Sequence, residues 1–264
     1  MITADEEANV EAIIAAKKQL LATRQKKTPN AAVVALAEMQ ARPKPILSTV
    51  TDGTYVTVIG QITIGETYDP VGTALRYIRA GVDAVALFTD QRIYNNGIDD
   101  LLLLARGIPN RPVICRDYIF NEYNVGEIRS TGASSVVIYS SILERPQIRN
   151  LISITQRWKM SSILQVSNQE EMEYVRMVSP HTVAIGVFDD PYFEPKRDLP
   201  LLERLCPLVP FSSRIKAMGC LQTLDDVAAV LEFGVNAITV SQELIFSQNT
   251  NEQLYSLLEH RAGT

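Results

Sequence analysis

The sequence predicts a single parallel (β/α)8 barrel preceded by two helices. From residue 55 onward, short β-branched runs alternate eight times with longer segments of helical period. The runs are continuous, as in Ala84-Val85-Ala86-Leu87-Phe88, which is the pattern of parallel strands buried on both faces. The repeat is short, about 25 residues per unit from the second strand to the eighth, and so suits eight units on one closed sheet in a chain of 264 residues.

Residues 3–27 read as an amphipathic helix. Thr3 and Glu6 have capping-box spacing, Val10, Ile13, Ile14, Leu20 and Leu21 supply an apolar stripe, and Arg24, Lys26 and Lys27 complement the negative end of the helix dipole. Thr28-Pro29-Asn30 stops it, and a second helix over 31–41 ends before Arg42-Pro43-Lys44-Pro45. Strands are expected at 55–62, 83–89, 112–116, 134–140, 162–166, 182–188, 214–217 and 236–241. Helices follow near 70–80, 98–106, 121–131, 146–158, 169–178, 198–206, 223–233 and 250–259. No Ser/Gly tract divides the chain, so residues 1–50 form a helical extension packed on a barrel of residues 51–264, in one structural domain.

Composition excludes several classes. Hydrophobic residues make up 46% and charged residues 21%, which rules out a mainly disordered chain. A net charge of −5 argues against a nucleic-acid binder, which shows a basic stripe. No apolar run reaches the ~20 residues of a membrane span. Asp5, Glu6 and Glu7 sit where a signal peptide would be basic, and a transit segment would be poor in acids. Cys115, Cys206 and Cys220 form no CxxC pair and read as reduced thiols in a reducing compartment, either cytoplasm or plastid stroma.

Chemistry on such a barrel sits at the carboxyl ends of the strands. Those ends carry Glu66, Thr89 and Asp90, Arg116 and Asp117, Ser140 and Ser141, Gln165, Phe188 to Asp190, Met218 and Gly219, and Ser241 to Glu243. His181 starts the sixth strand, at the opposite end, and His260 lies in the last helix, so no histidine triad or histidine metal site is expected. Cys115, inside the third strand, reads as core. No nucleotide-binding glycine fingerprint occurs, and no cofactor or metal is expected.

The segment Arg111–Ala133, with Cys115-Arg116-Asp117-Tyr118 at its strand end, resembles the third strand and helix of indole-3-glycerol-phosphate synthase. Five other stretches fit that family: Tyr68-Asp69-Pro70; Leu87-Phe88-Thr89-Asp90; Gln165-Val166 ahead of Glu170-Glu171; Asp198-Leu199 ahead of Glu203-Arg204-Leu205; and Thr223–Val227 leading into Phe233–Ala237. The resemblance spans essentially the whole chain and includes the two leading helices. It implies a (β/α)8 barrel of tryptophan biosynthesis that closes and decarboxylates an anilino sugar phosphate, using a lysine general acid and carboxylate partners.

Set against the resemblance, the chemical residues differ. The first strand carries Val58-Ile59-Gly60-Gln61 where the family has a glutamate and a lysine, and the family's Ser-Pro-Ser phosphate loop is missing. Arg116 stands at the general-acid lysine and Gln165 at the fifth-strand glutamate. Phe188 and Asp190 replace an asparagine and an arginine, Met218 and Gly219 a glutamate and a serine, and Ser241 a phosphate-binding glycine. The expectation is a non-catalytic barrel that binds another protein as a scaffold or complex subunit, with the mouth partly apolar at Phe188, Met218 and Cys220. The alternatives are altered chemistry on a phosphorylated sugar-like substrate, or residual synthase activity. In the altered enzyme, Arg116, Gln165, Gly219, Ser241 and Gln242 would bind ligand, and Asp117, Glu66, Asp189, Asp190 or Glu243 would move protons.

Overall fold

The computed structural model describes residues 4–46, 55–62, 68–90, 97–186 and 198–262. The continuous apolar runs form eight parallel strands: β1 (Thr57–Ile62), β2 (Ala84–Phe88), β3 (Val113–Arg116), β4 (Ser135–Tyr139), β5 (Ser161–Val166), β6 (Thr182–Ile185), β7 (Arg214–Leu221) and β8 (Ala237–Val240). They pair in chain order, and β8 closes on β1 with Thr57 opposite Ala237. The protein is a (β/α)8 barrel.

Helices alternate with the strands. After β1 come α3 (Pro70–Arg79), α4 (Ile98–Gly107), α5 (Glu122–Ser130), α6 (Arg145–Arg157), α7 (Gln169–Val178), α8 (Leu199–Leu205), α9 (Leu224–Leu231), α10 (Gln242–Phe246) and α11 (Gln248–Ala262). Asp69, Asn121, Asn168, Asp198 and Thr223 each cap the helix that follows, a side-chain oxygen accepting an otherwise free backbone N–H.

The two faces of the sheet bury different cores. Ile59, Ala86, Ile114, Val137, Ile163, Ala184 and Met218 pack inside the barrel. Val58, Leu87, Cys115, Ile138 and Leu164 point outward against the helices. At Gly60 a Cβ would lie 2.7 Å from the ring of buried Tyr77, whose hydroxyl donates to the Gln61 carbonyl at 2.8 Å. Gly60→Ala is therefore an overpacking change, expected to cost about 1–3 kcal/mol in urea unfolding. No loss of stability would contradict this packing.

Cys115 is fully buried on the outer face, and burial, with Asp117 nearby, pushes its thiol up to about 12; burial takes Cys206 to about 11. Cys220 is half-buried. Ellman's reagent at about pH 8 is expected to modify Cys220 first, and the other two only on unfolding. The two raised values also link stability to pH. The unfolded thiols ionise first, so this contribution is whole below about pH 9 and is lost between 9 and 12. Urea midpoints that rose from pH 8.5 to 10.5 would refute the assignment.

Two differences from expectation concern local geometry. β7 runs on to Leu221, past 217, because Gly219 adopts φ +100° and the pairing with β8 shifts register between Lys216 and Cys220. The short α10 was not foreseen; Ser241 caps it, its Oγ accepting from the Leu244 N–H.

The chain begins with α1 (Ala4–Lys27) and α2 (Asn30–Glu38). The Thr3 half of the expected capping box lies outside the described residues. Among the described side chains of α1, Ile13, Lys17 and Leu21 are buried, spaced four apart, while Ile14 and Leu20 are half-buried. Ile13 packs with Phe88, Tyr118 and Phe120, and Leu21 with Val33 and Tyr123. Arg24, expected only to complement the dipole, pairs with Glu127 on α5. Arg129 donates to the Gln40 and Ala41 carbonyls at 3.0 and 2.7 Å, tying the chain just after α2 to the barrel.

Candidate functional site at the barrel mouth

The strand ends bring Gln61, Arg116, Gln165 and Met218 to the carboxyl end of the barrel. Arg116 ends β3 and reaches past β2, where small Ala86 leaves room. Its Nη1 donates to Gln61 Oε1 at 2.8 Å. Gln165, fully buried on β5, donates from Nε2 to the Gly186 carbonyl at 2.5 Å. Its Oε1 accepts no hydrogen bond among the described residues. Gly186 must be glycine here, since a Cβ would lie 2.3 Å from the Cβ of Met218.

Below these residues the barrel encloses a cavity of about 20 Å³, room for roughly one water. Its walls are mostly apolar, including Ile59, Ile114, Ile163 and Met218; the polar groups are Arg116, Lys216 and Thr239. Lys216 was missed by sequence reasoning. It is buried in β7, and its Nζ donates to the Ala217 carbonyl at 3.0 Å and lies 3.9 Å from Met218 Sδ. Strand alternation held the signal, because Lys216 and Met218 are two apart and share the inward face.

Asp90 and Asp117, at the ends of β2 and β3, turn toward the leading helix. Lys17 Nζ lies 2.7 Å from Asp117 Oδ1 and 3.6 Å from Asp90 Oδ1, with Lys17 only 2% exposed. Asp117 also accepts from the Thr89 hydroxyl at 2.8 Å and the Tyr118 N–H at 2.7 Å. Lys17 was not singled out either, since a lysine within an amphipathic stretch reads as its wet face.

The other expected positions are dispersed. Gly219 shapes the β7 irregularity and lines the cavity. Ser241 serves as the α10 cap; Gln242 is half-buried and Glu243 exposed on that helix. Glu171 accepts from the Ser167 N–H and from the Ser140 hydroxyl, both at 2.7 Å, clamping two strand ends. Glu66, Phe188, Asp189 and Asp190 lie outside the described residues. His181 sits just before β6, at the far end of the barrel, and its pKa is lowered by burial. No described helix is long and apolar enough to cross a membrane.

The sequence profile of the indole-3-glycerol phosphate synthase family matches residues 10–257. The chain belongs to the indole-3-glycerol phosphate synthase family. Its similarity to individual members is low. It is 24% identical over 246 residues to the indole-3-glycerol phosphate synthase of Roseiflexus sp. (strain RS-1), covering 88% of this chain and 91% of that one. It is 26% identical over 193 residues to that of Dehalococcoides mccartyi (strain CBDB1), covering 72% and 74%. A crystal structure of 3-hexulose-6-phosphate synthase superposes with a TM-score of 0.60 at 15% identity, covering 77% of this chain and 99% of that one, a likeness of fold alone. Arg116 and Gln165 are both committed to neighbouring groups, the Gln61 side chain and the Gly186 carbonyl.

Proposed function

We propose that this member of the indole-3-glycerol phosphate synthase family does not perform the family's ring closure and serves as a protein-binding barrel. One observation carries the first half of this reading. Arg116, which the resemblance puts at the lysine general-acid position, donates from its guanidinium to Gln61. Arginine stays protonated, its pKa being above about 12, so it binds charge but does not deliver a proton at neutral pH. Gln165, an amide, neither takes nor gives a proton, and it is tied to Gly186.

The protein-binding half follows from a barrel kept in family form without the groups its reaction uses. In this reading the extension and the barrel fold as one domain, and the protein works in a reducing compartment, cytoplasm or plastid stroma. The decisive assay mixes purified protein with the anilino sugar phosphate and follows indole-product fluorescence. No turnover above the blank is expected. Turnover that Arg116→Ala abolishes would overturn the proposal.

A second reading has its own observation, two cations in one cavity. Arg116 and Lys216 both line the interior space, which has room for about one water, so a phosphorylated sugar-like ligand would sit at the mouth above it with its anionic group toward these two cations. Calorimetric binding of ribulose 5-phosphate, lost in Lys216→Met, would favour this reading over the first.

A further inference from the structure

The interior of the barrel is shaped around a lysine. Lys216 on β7 stands in register with Ala184 on β6 and with Ala237 on β8, both buried. Residues in register on neighbouring strands share a face of the sheet, so all three point inward. The two small neighbours leave the space that the lysine stem fills, and Lys216 is only 7% exposed. β3 and β7 are four strands apart in the closed order, so Arg116 and Lys216 approach the interior cavity from opposite walls.

The cavity has a positive lining. Among the described residues that line it none is acidic. Asp90 and Asp117, the buried carboxylates at the ends of β2 and β3, turn away to Lys17 on α1. The Gln61 amide oxygen accepts from Arg116 and the Ala217 carbonyl from Lys216, and both acceptors are neutral. Guanidinium and ammonium groups each carry several N–H donors, so each cation keeps its acceptors and still donates into the cavity. Thr239 adds a hydroxyl at the wall. Two positive charges beside apolar walls favour an anion between them, because charge in a low-dielectric interior is costly unless it is answered.

We propose that this cavity is a site for a single halide ion, chloride being the common one. Size selects the occupant. The space of about 20 Å³ has room for roughly one water, and chloride is only slightly wider than a water molecule. A carboxylate or a phosphate has several heavy atoms and does not fit inside. The ion accepts charge-assisted hydrogen bonds from Arg116 and Lys216, and a further one from the Thr239 hydroxyl. It thereby ties β3 to β7 and β8 across the barrel. Because the unfolded chain has no such cavity, the ion binds the native state and stabilises it. The site lies inside the barrel, below the mouth, and stands whether or not a larger ligand binds above.

The test uses the purified full chain and follows its melting temperature as chloride replaces gluconate at constant ionic strength. A saturable rise is expected, at least about 3 °C once chloride is about tenfold above half-saturation, and bromide should act in the same way. Lys216→Met keeps a side chain of similar length without the charge and is expected to lose the rise. Arg106→Met, on the exposed face of α4, is expected to keep it. Crystals grown in sodium bromide give a second readout that does not depend on a variant folding. An anomalous bromide peak is expected in the cavity, between Lys216 Nζ and the Arg116 guanidinium. A melting temperature indifferent to chloride overturns the proposal, as does a rise that Lys216→Met retains or bromide confined to the protein surface. The assay contains no sugar phosphate and no partner protein, so its failure leaves both readings of function standing.

Discussion

Lys17→Ala is expected to lower the melting temperature by about 10 °C, the largest stability effect of any single substitution considered. Lys17 brings a positive charge from α1 to the buried Asp90 and Asp117 at the ends of β2 and β3. Removing one partner of a buried pair leaves uncompensated charge, at a cost of about 3–5 kcal/mol. For a chain of this size each kcal/mol shifts the midpoint by roughly 2–4 °C. Lys17→Met, which keeps the stem but not the charge, should be nearly as harmful. Adding Asp117→Asn to Lys17→Met should recover part of the loss, because fewer buried carboxylates are then stranded. A calorimetric shift under about 3 °C for Lys17→Ala would show that the pair contributes little, as exposed pairs do.

The largest effect on activity expected under the proposed non-catalytic reading is an absence of turnover. Loss of one positioned general acid typically removes about 10²–10⁴ in rate. In the proposed reading Arg116 and Gln165 replace the lysine of β3 and the glutamate of β5, so a rate at least about 10⁴ below that of an active family member is expected. Arg116→Lys alone should not restore it, since Gln165 remains an amide held by the Gly186 carbonyl. On the proposed reading even the pair Arg116→Lys with Gln165→Glu is expected to leave turnover unrestored, since Gln61 still stands in place of a charged group. Recovery of turnover by Arg116→Lys alone would mean that the remaining groups are sufficient and the loss is shallow.

The barrel was legible because its signal is carried by strand periodicity and by cap residues. Ala84–Phe88 reads as a buried parallel strand before any contact is known, and Asp69, Asn121 and Asn168 mark helix starts in the sequence itself. The β7 irregularity was less legible. Gly219 is visible, but its φ of +100° is not, and so the strand seemed to stop early. In the candidate site, Arg116 and Gln165 stood out through family resemblance. Lys17 and Lys216 did not, because each sits in a segment whose average character is ordinary.

The sequence by itself determined the class of fold, the order of its elements and the chemical type of the residues at the strand ends. These are local properties: alternation, capping chemistry and side-chain protonation travel with the residues wherever they are placed. Only the tertiary structure decided which groups meet. It paired Lys17 with Asp117 across 100 residues and Arg116 with Gln61 across 55. It set Met218 against Gly186, and it brought Lys216 to the same cavity as Arg116. Barrel closure makes such meetings, because residues remote in the chain become neighbours only when every strand is in register. Their energies depend on burial and distance, which no local pattern encodes.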